Sequence, residues 1–343
     1  MKEFVLRTMF FVICLVALCS MTPRQRSMRI VSWNVENLFD TIDDAGFRDE
    51  EFLPTGERRW TGGRYWHKLT DVARVLAAMA DSNGVPDLIG LVEVENDSVL
   101  TTLVRRSSLR QMGYEYVMTH SQDSRGIDVA LLFQPARFRL IEYNCINVHA
   151  RGKNARTTRD ILYAKGLVKV DKVVDTLHVI IVHLPSKAGG RAGDNLRRQA
   201  ATTLWALVDS IKFNYRLSRA CSGNTVSAEE VAQNIEEEPR IVVIGDFNAT
   251  ARDQIFQNAS LRFADDTKEP GTYSFRGYWQ WIDHVFLSSS VVPVAPARPF
   301  SMPWMLEDNL TYGGMMPYRT YRGPIYHGGI SDHLPVVVDV SFK

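Results

Sequence analysis

The sequence predicts a mixed α/β (α+β) domain, and three observations predict it. Helical and strand patterns alternate along most of the 343 residues, apolar runs of strand length are repeatedly closed by short polar motifs, and no internal repeat is present. A hydrophobic share of 45% is enough for a sizeable core. Large sandwich folds run beyond the average domain length as one unit.

Residues 1–27 read as a leader. Lys2 and Arg7 precede the apolar run 9–19, which suits a signal-peptide core of about 7–15 residues better than a bilayer span of about 20. A short membrane anchor is the alternative. Val16-Ala17-Leu18-Cys19 is similar to a lipoprotein processing box, with Leu18 where a small residue usually stands, so Cys19 is where a lipid would attach. The expected location is therefore exported: periplasm, outer envelope or extracellular.

An apolar run at 28–31 opens the domain. Residues 66–80 place Leu69, Val72, Ala73, Leu76 and Met79 at helical spacing and stop before Asn83-Gly84 and Pro86. Residues 87–92, 129–133, 166–170, 177–183, 241–244, 284–287 and 336–340 read as buried or half-buried strands. A second helix spans 196–211, apolar through Ala200, Leu204, Leu207, Val208 and Ile211. Residues 216–239 are polar, end in Glu236-Glu237-Glu238-Pro239, and read as an exposed insertion. The stretch 290–329, rich in Pro, Gly, Tyr and Met, reads as an ordered loop near the site. Regular elements flank both segments, so residues 28–343 form one catalytic domain.

The formal charge is +1, but the leader holds Lys2, Arg7, Arg24 and Arg26 against Glu3, leaving 36 Lys/Arg against 38 Asp/Glu beyond it. That balance excludes a general phosphate-backbone binder, and any basic footprint must be local. Past the leader only Cys145 and Cys221 remain. They could pair in an oxidising compartment, but they do not make a disulfide scaffold.

Four polar motifs carry the chemistry. Ser32-Trp33-Asn34-Val35-Glu36-Asn37, Glu93-Val94-Glu95-Asn96 and Gly245-Asp246-Phe247-Asn248-Ala249 each follow an apolar run, and Ser331-Asp332-His333-Leu334-Pro335 precedes one. Carboxylates and amides at buried strand ends are oxygen ligands on rigid supports, which suits a hard cation such as Mg²⁺. Glu95 faces away from Glu93 if the strand continues. Asp246 and Asn248, two apart, share one face in extended backbone, so that one acts on water or metal while the other donates to a phosphate oxygen. An Asx turn closing the strand is the plainer reading.

In this order the motifs resemble the endonuclease/exonuclease/phosphatase superfamily, also called deoxyribonuclease I-like. The resemblance covers residue 28 to the C-terminus. It implies a four-layer sandwich of two mostly antiparallel β-sheets flanked by helices, and cleavage of phosphate esters with Mg²⁺ (or Mn²⁺). It places the metal at Glu93 and Asp332, with Glu36 in a slot where some relatives carry Asp. It assigns Asn34 and Arg159 to the phosphate, Asp246 and Asn248 to water and phosphate, and His333 to acid–base work with Asp283 fixing its tautomer. His183, closing the strand 177–183, matches a second histidine of deoxyribonuclease-type and sphingomyelinase-type relatives, apt for protonating the leaving oxygen. Asp128 is its expected partner. Structural packing is the alternative for His183.

Basic residues gather in 151–159 and 187–198, and Tyr273, Phe275, Arg276 and Trp279 offer faces for a base or sugar, although aromatics beside a hairpin more often pack. The leading expectation is an exported monomeric Mg²⁺-dependent phosphodiesterase, a nuclease before other substrates. A lipid or inositol phosphatase, a sphingomyelinase-like phospholipase and a non-catalytic binding member are the alternatives. Activity against a panel of DNA, RNA, phospholipids and nucleotides discriminates among them.

Overall fold

The computed structural model describes residues 27–81, 84–148, 158–170, 173–222, 238–265 and 270–343. In chain order the strands are β1 (Met28–Leu38), β2 (Leu88–Val94), β3 (Glu115–Met118), β4 (Asp128–Phe133), β5 (Phe138–Ile146), β6 (Ile161–Val170), β7 (Val173–His183) and β8 (Arg240–Asp246). Then come β9 (Arg262–Phe263), β10 (Tyr273–Phe275), β11 (Tyr278–Gln280), β12 (Asp283–Leu287), β13 (Val291–Pro293) and β14 (Arg298–Pro299). The last are β15 (Leu306–Asp308), β16 (Met315–Pro317), β17 (Tyr321–Arg322), β18 (Ile325–Tyr326) and β19 (Val336–Phe342). Three α-helices, α1 (Gly62–Ala78), α2 (Asp97–Arg106) and α3 (Gly190–Ser222), lie among the described residues.

The strands build two large sheets. One runs β13-β19-β1-β2-β4-β3 with β14 on β19, the other β5-β6-β7-β8-β12-β9. Within each, a single neighbouring pair is parallel, β1 with β2 and β7 with β8, and the rest are antiparallel. Their facing sides share one core, including Ile30, Val92, Leu131, Ile181, Ile244 and Val338. Each strand buried on both faces reads as an unbroken Val/Ile/Leu run, which is why β2 and β8 were legible. Gly90 lets the sheets close up, because a Cβ there would lie 2.6 Å from Ile244 Cδ1.

The outer faces are covered differently. Leu69, Val72, Val75 and Leu76 of α1 and Val99, Leu100 and Leu103 of α2 pack on the first sheet, while Ala200, Leu204 and Val208 of α3 pack on the second. Helix, sheet, sheet, helix is the four-layer sandwich the family resemblance implied. Helix α2 starts on a cap, Asn96 Oδ1 accepting from the Val99 amide at 3.0 Å.

The helix expected over 196–211 runs beyond both of those bounds, starting at Gly190. Helix α3 continues to Ser222, so residues 216–222 belong to a helix rather than to the insertion; its exposed end is polar enough to read as loop. Residues 223–237 of that insertion, the leader with Cys19, and the basic cluster at 151–157 lie outside the described residues. Cys145 is free and exposed. Among the described residues no helix is long and apolar enough to cross a membrane.

One buried pair makes the fold sensitive to acid. Tyr163 on β6 and His178 on β7 hydrogen-bond through the phenol oxygen and Nδ1 at 2.9 Å. Burial, then the nearby Lys165 charge, pushes the His178 imidazole down from 6.5 to about 4. The unfolded chain therefore binds this proton more readily than the folded one. Stability from this site is complete above pH 6.5 and is lost as pH falls toward 4, by about 3 kcal/mol at the limit. Urea titrations at pH 7 and pH 4.5 are expected to show a smaller loss for His178→Gln than for wild type. Equal losses would count against it.

Candidate active site

The parallel pairs decide where the polar motifs end up. Strands β1, β2, β7 and β8 all finish at one rim of the sandwich, and β12 starts there, with Asp283 in register with Asp246. The segment before β19 returns to the same rim: Trp33 Nε1 donates to the His333 carbonyl at 3.0 Å, and Ser331 Oγ donates to the Asn34 carbonyl at 2.7 Å. A pocket of about 690 Å³ opens at this rim, lined by Asn34, Glu36, Glu93, His183, Asp246, Asn248, Asp332 and His333, and by Arg159. The motif residues, scattered over about 300 positions of chain, meet in one cavity.

Asp246 Oδ2 is the focus. Asn34 Nδ2 and Asn248 Nδ2 each donate to it at 3.1 Å, and His183 Nε2 and His333 Nε2 stand 3.8 and 4.0 Å away. Asp246 and Asn248 do not meet through extended backbone, as the sequence reading had it. Asn248 sits in the left-handed region at φ 49°, and its amide nitrogen donates to Asp246 Oδ1 at 2.7 Å, so an Asx-type turn brings the pair together. Gly245, at φ 143°, starts that turn, and a Cβ there would lie 2.0 Å from the Val182 carbonyl oxygen. Glu36, Asn37, Glu93 and Asn248 are four of six described non-glycine residues with positive φ, a backbone state that costs energy.

His333 has the partner expected for it. Nδ1 lies 2.8 Å from Asp283 Oδ2, which also accepts from Thr272 Oγ1 at 2.5 Å, and the ring lies 4.9 Å from that of Tyr273. Burial alone would depress this imidazole, but the Asp283 charge and hydrogen bond outweigh it and hold it well above 6.5. His183 is the opposite: burial, then the Arg159 and Arg125 charges, hold it well below 6.5. The two imidazoles are thus pushed in opposite directions, His333 toward the protonated form an acid needs and His183 toward the neutral form. Asp128 is corrected. Its Oδ1 accepts from Thr119 Oγ1 at 2.6 Å and from the Ser121 amide at 3.0 Å, closing a loop beside β4, and His183 Nδ1 has no partner among the described residues.

The carboxylates form a second group. Glu93 Oε2 accepts from the Asn37 amide at 2.9 Å and Oε1 from Asn34 Nδ2 at 3.3 Å. Glu36 Oε2 accepts from the Thr320 amide at 2.7 Å, and Asp332 Oδ2 from Arg319 at 3.0 Å. Burial and then the Asp332 charge raise the Glu36 carboxyl to about 7; burial and then Asp283 raise Asp246 to about 7. Crowded carboxylates with hard oxygen donors and no thiolate fit Mg²⁺ or Mn²⁺. Asp246, Asp283 and His333 also offer ligand atoms within 4.8 Å of one another. The Asp283–His333 bond uses Nδ1 and leaves Nε2 free, so this cluster and the oxygen set are both candidate cation sites. Glu95 turns away, its Oε2 accepting from the Asp40 amide at 2.7 Å.

Lys68 and Arg125 emerge only from the fold. Lys68 of α1 is wholly buried, donating to Thr320 Oγ1 at 2.6 Å and to the Ile330 carbonyl, and it stands behind Glu36. Arg125 donates to Asn37 Oδ1 and lines the pocket. Arg159 is ion-paired with Asp123 at 3.3 Å. Of the aromatics, Tyr273 and Phe275 line the pocket while Trp279 packs against the core. A lysine in mid-helix or an arginine after a turn carries no sequence signal of its own; only the fold brings them here.

The family model described as Endonuclease/Exonuclease/phosphatase family matches residues 29–341. No curated protein matches the chain. Among solved structures, an endonuclease/exonuclease/phosphatase family protein from Bacteroides thetaiotaomicron is similar with a TM-score of 0.56 at 14% identity, over 92% of this chain and 98% of that one. A mannosyl-6-phosphatase from the same organism gives 0.55 at 15% identity, over 92% and 100%. The human Nocturnin catalytic domain gives 0.51 at 16%, over 93% and 96%. At such identities the likenesses establish the fold alone.

Proposed function

From its membership of the endonuclease/exonuclease/phosphatase family, to which this chain belongs, we propose that the protein is an exported, divalent-metal-dependent phosphodiesterase acting on nucleic acid. The observation that carries the chemistry is the convergence on Asp246 Oδ2 of two amide donors and two histidine Nε2 atoms. Glu93 and Asp332, with Glu36 behind them, would hold the cation, which supplies charge neutralisation at the phosphate. Asp246, its carboxyl near neutrality, accepts a proton from the attacking water while Asn34 and Asn248 orient it. His333, held by Asp283, faces the same space and gives its proton to the departing oxygen. His183, resting neutral, offers Nε2 as a hydrogen-bond partner across the pocket.

The reading of nucleic acid rests on two histidines in one pocket and on Arg125, Arg159 and Lys187 along its wall. Export rests on the leader sequence. A second reading is a phosphomonoesterase of a phosphorylated sugar, favoured by a cavity of about 690 Å³, a size that encloses a small ligand. Residues 28–343 assayed with Mn²⁺ or Mg²⁺ against bis-p-nitrophenyl phosphate, DNA, RNA and a hexose 6-phosphate separate the two. Cleavage of the diester and of a nucleic acid is expected. Turnover confined to the sugar phosphate would overturn the nuclease reading.

A further inference from the structure

Two hairpins, β10–β11 and β15–β16, stand side by side at the pocket mouth and leave an unusual set of rings in solvent. The turn of the first is Arg276-Gly277, and Tyr312 from the second packs on it so closely that a Cβ on Gly277 would lie 2.6 Å from Tyr312 Cβ. With φ at 82°, Gly277 is also in the conformation glycine tolerates best. The two tips therefore present one surface. On it Tyr278 is 76% exposed, Tyr312 58% and Phe275 48%. The Arg276 guanidinium lies 5.2 Å from the Phe275 ring centroid. Phe275 is also part of the pocket wall, and Tyr273, two residues earlier on the same strand, lies against His333. A line of aromatic groups thus leads from the acid histidine to the outside.

Large aromatic groups are left in water at a pocket mouth when something is to cover them. The chain beyond the leader carries a slightly negative balance, 36 basic against 38 acidic residues, so long-range attraction to phosphate is weak. Stacking supplies affinity without such a field, and it needs bases whose faces are free. We propose that Phe275, Tyr278 and Tyr312 form a stacking platform for the unpaired bases of a single-stranded nucleic acid whose scissile phosphate lies in the pocket. This rests on the phosphodiesterase reading. Tyrosine hydroxyls and an interleaved arginine suit bases better than acyl chains, which favours a nucleic-acid strand over a lipid surface.

The test is the double variant Tyr278→Ala/Tyr312→Ala, which keeps the Cβ that packs on Gly277. Affinity for a fluorescein-labelled single-stranded oligonucleotide is read by anisotropy, separately from turnover of bis-p-nitrophenyl phosphate, since neither Tyr278 nor Tyr312 lines the pocket. Oligonucleotide affinity is expected to fall about 10–100-fold while turnover of the small diester stays at the wild-type level, and Tyr278→Phe/Tyr312→Phe is expected to restore binding. Unchanged oligonucleotide affinity in the alanine variant would overturn the platform. So would binding to phosphatidylcholine vesicles that the variant loses while its oligonucleotide affinity is kept, because that assigns the rim to lipid. Wild-type protein that binds the strand through the rim but hydrolyses neither substrate would defeat the catalytic reading alone.

Discussion

Replacing His333 with alanine is expected to lower kcat on a phosphate-ester substrate by about 10²–10⁴-fold, the usual worth of a positioned proton donor. The magnitude follows from its setting. The ring is buried, its Nδ1 is tied to Asp283 at 2.8 Å, and Nε2 is left facing Asp246 and Asp332 at 4.0 and 3.9 Å. Asp283→Asn removes the charge that keeps the imidazole protonated, and its loss is expected to be of similar size. The two act as one unit, so the double variant should lose little more than either single one. Single-turnover rates of the four proteins decide it. Losses that multiply would show that Asp283 and His333 work apart.

Glu93→Ala is expected to cost more, because it removes a candidate ligand and unsettles its neighbours together. Both carboxylate oxygens are engaged, by the Asn37 amide and by Asn34 Nδ2, and Asn34 is also a donor to Asp246. A cation's contribution to a phosphoryl transition state is several kcal/mol, so a loss of about 10³-fold or more is expected, matched in wild type by chelation and reversed by Mg²⁺ or Mn²⁺. Metal affinity measured by calorimetry should fall in Glu93→Gln as well, since the amide keeps the shape but not the charge. Full turnover of Glu93→Ala, or undiminished hydrolysis in EDTA, would sink the assignment.

Much of this site was visible in the sequence because its residues stand next to buried strands. Glu93, Asp246, Asp283 and His183 each close or open a Val/Ile/Leu run, and a polar residue there has few reasons to exist other than to face the rim. What the sequence hid is of two kinds. Contacts such as Trp33 to the His333 carbonyl or Thr272 to Asp283 join residues through loops whose path no periodicity encodes. Strands such as β10, β11, β15 and β16 are three residues long, too short for an alternating pattern to register. Asp128 illustrates a third limit. It opens a strand beside the site, yet the pairing of β3 with β4 leaves it bonded to Thr119 and the Ser121 amide. Strand proximity in sequence does not fix which neighbour a carboxylate meets.

The four left-handed residues at the rim, Glu36, Asn37, Glu93 and Asn248, bear on how such a protein can change over time. At each, the backbone would relax with glycine, and a search for a hardier protein that scored folding alone would begin there. Yet each of these side chains holds a neighbour in the pocket: Glu36 Oε2 accepts from the Thr320 amide, Asn37 Oδ1 from Arg125, Glu93 Oε2 from the Asn37 amide, and Asn248 Nδ2 donates to Asp246. Robustness and chemistry therefore draw on the same four positions, so heat-tolerant descendants of this chain would have to find their gains elsewhere, in the helices and the sheet edges.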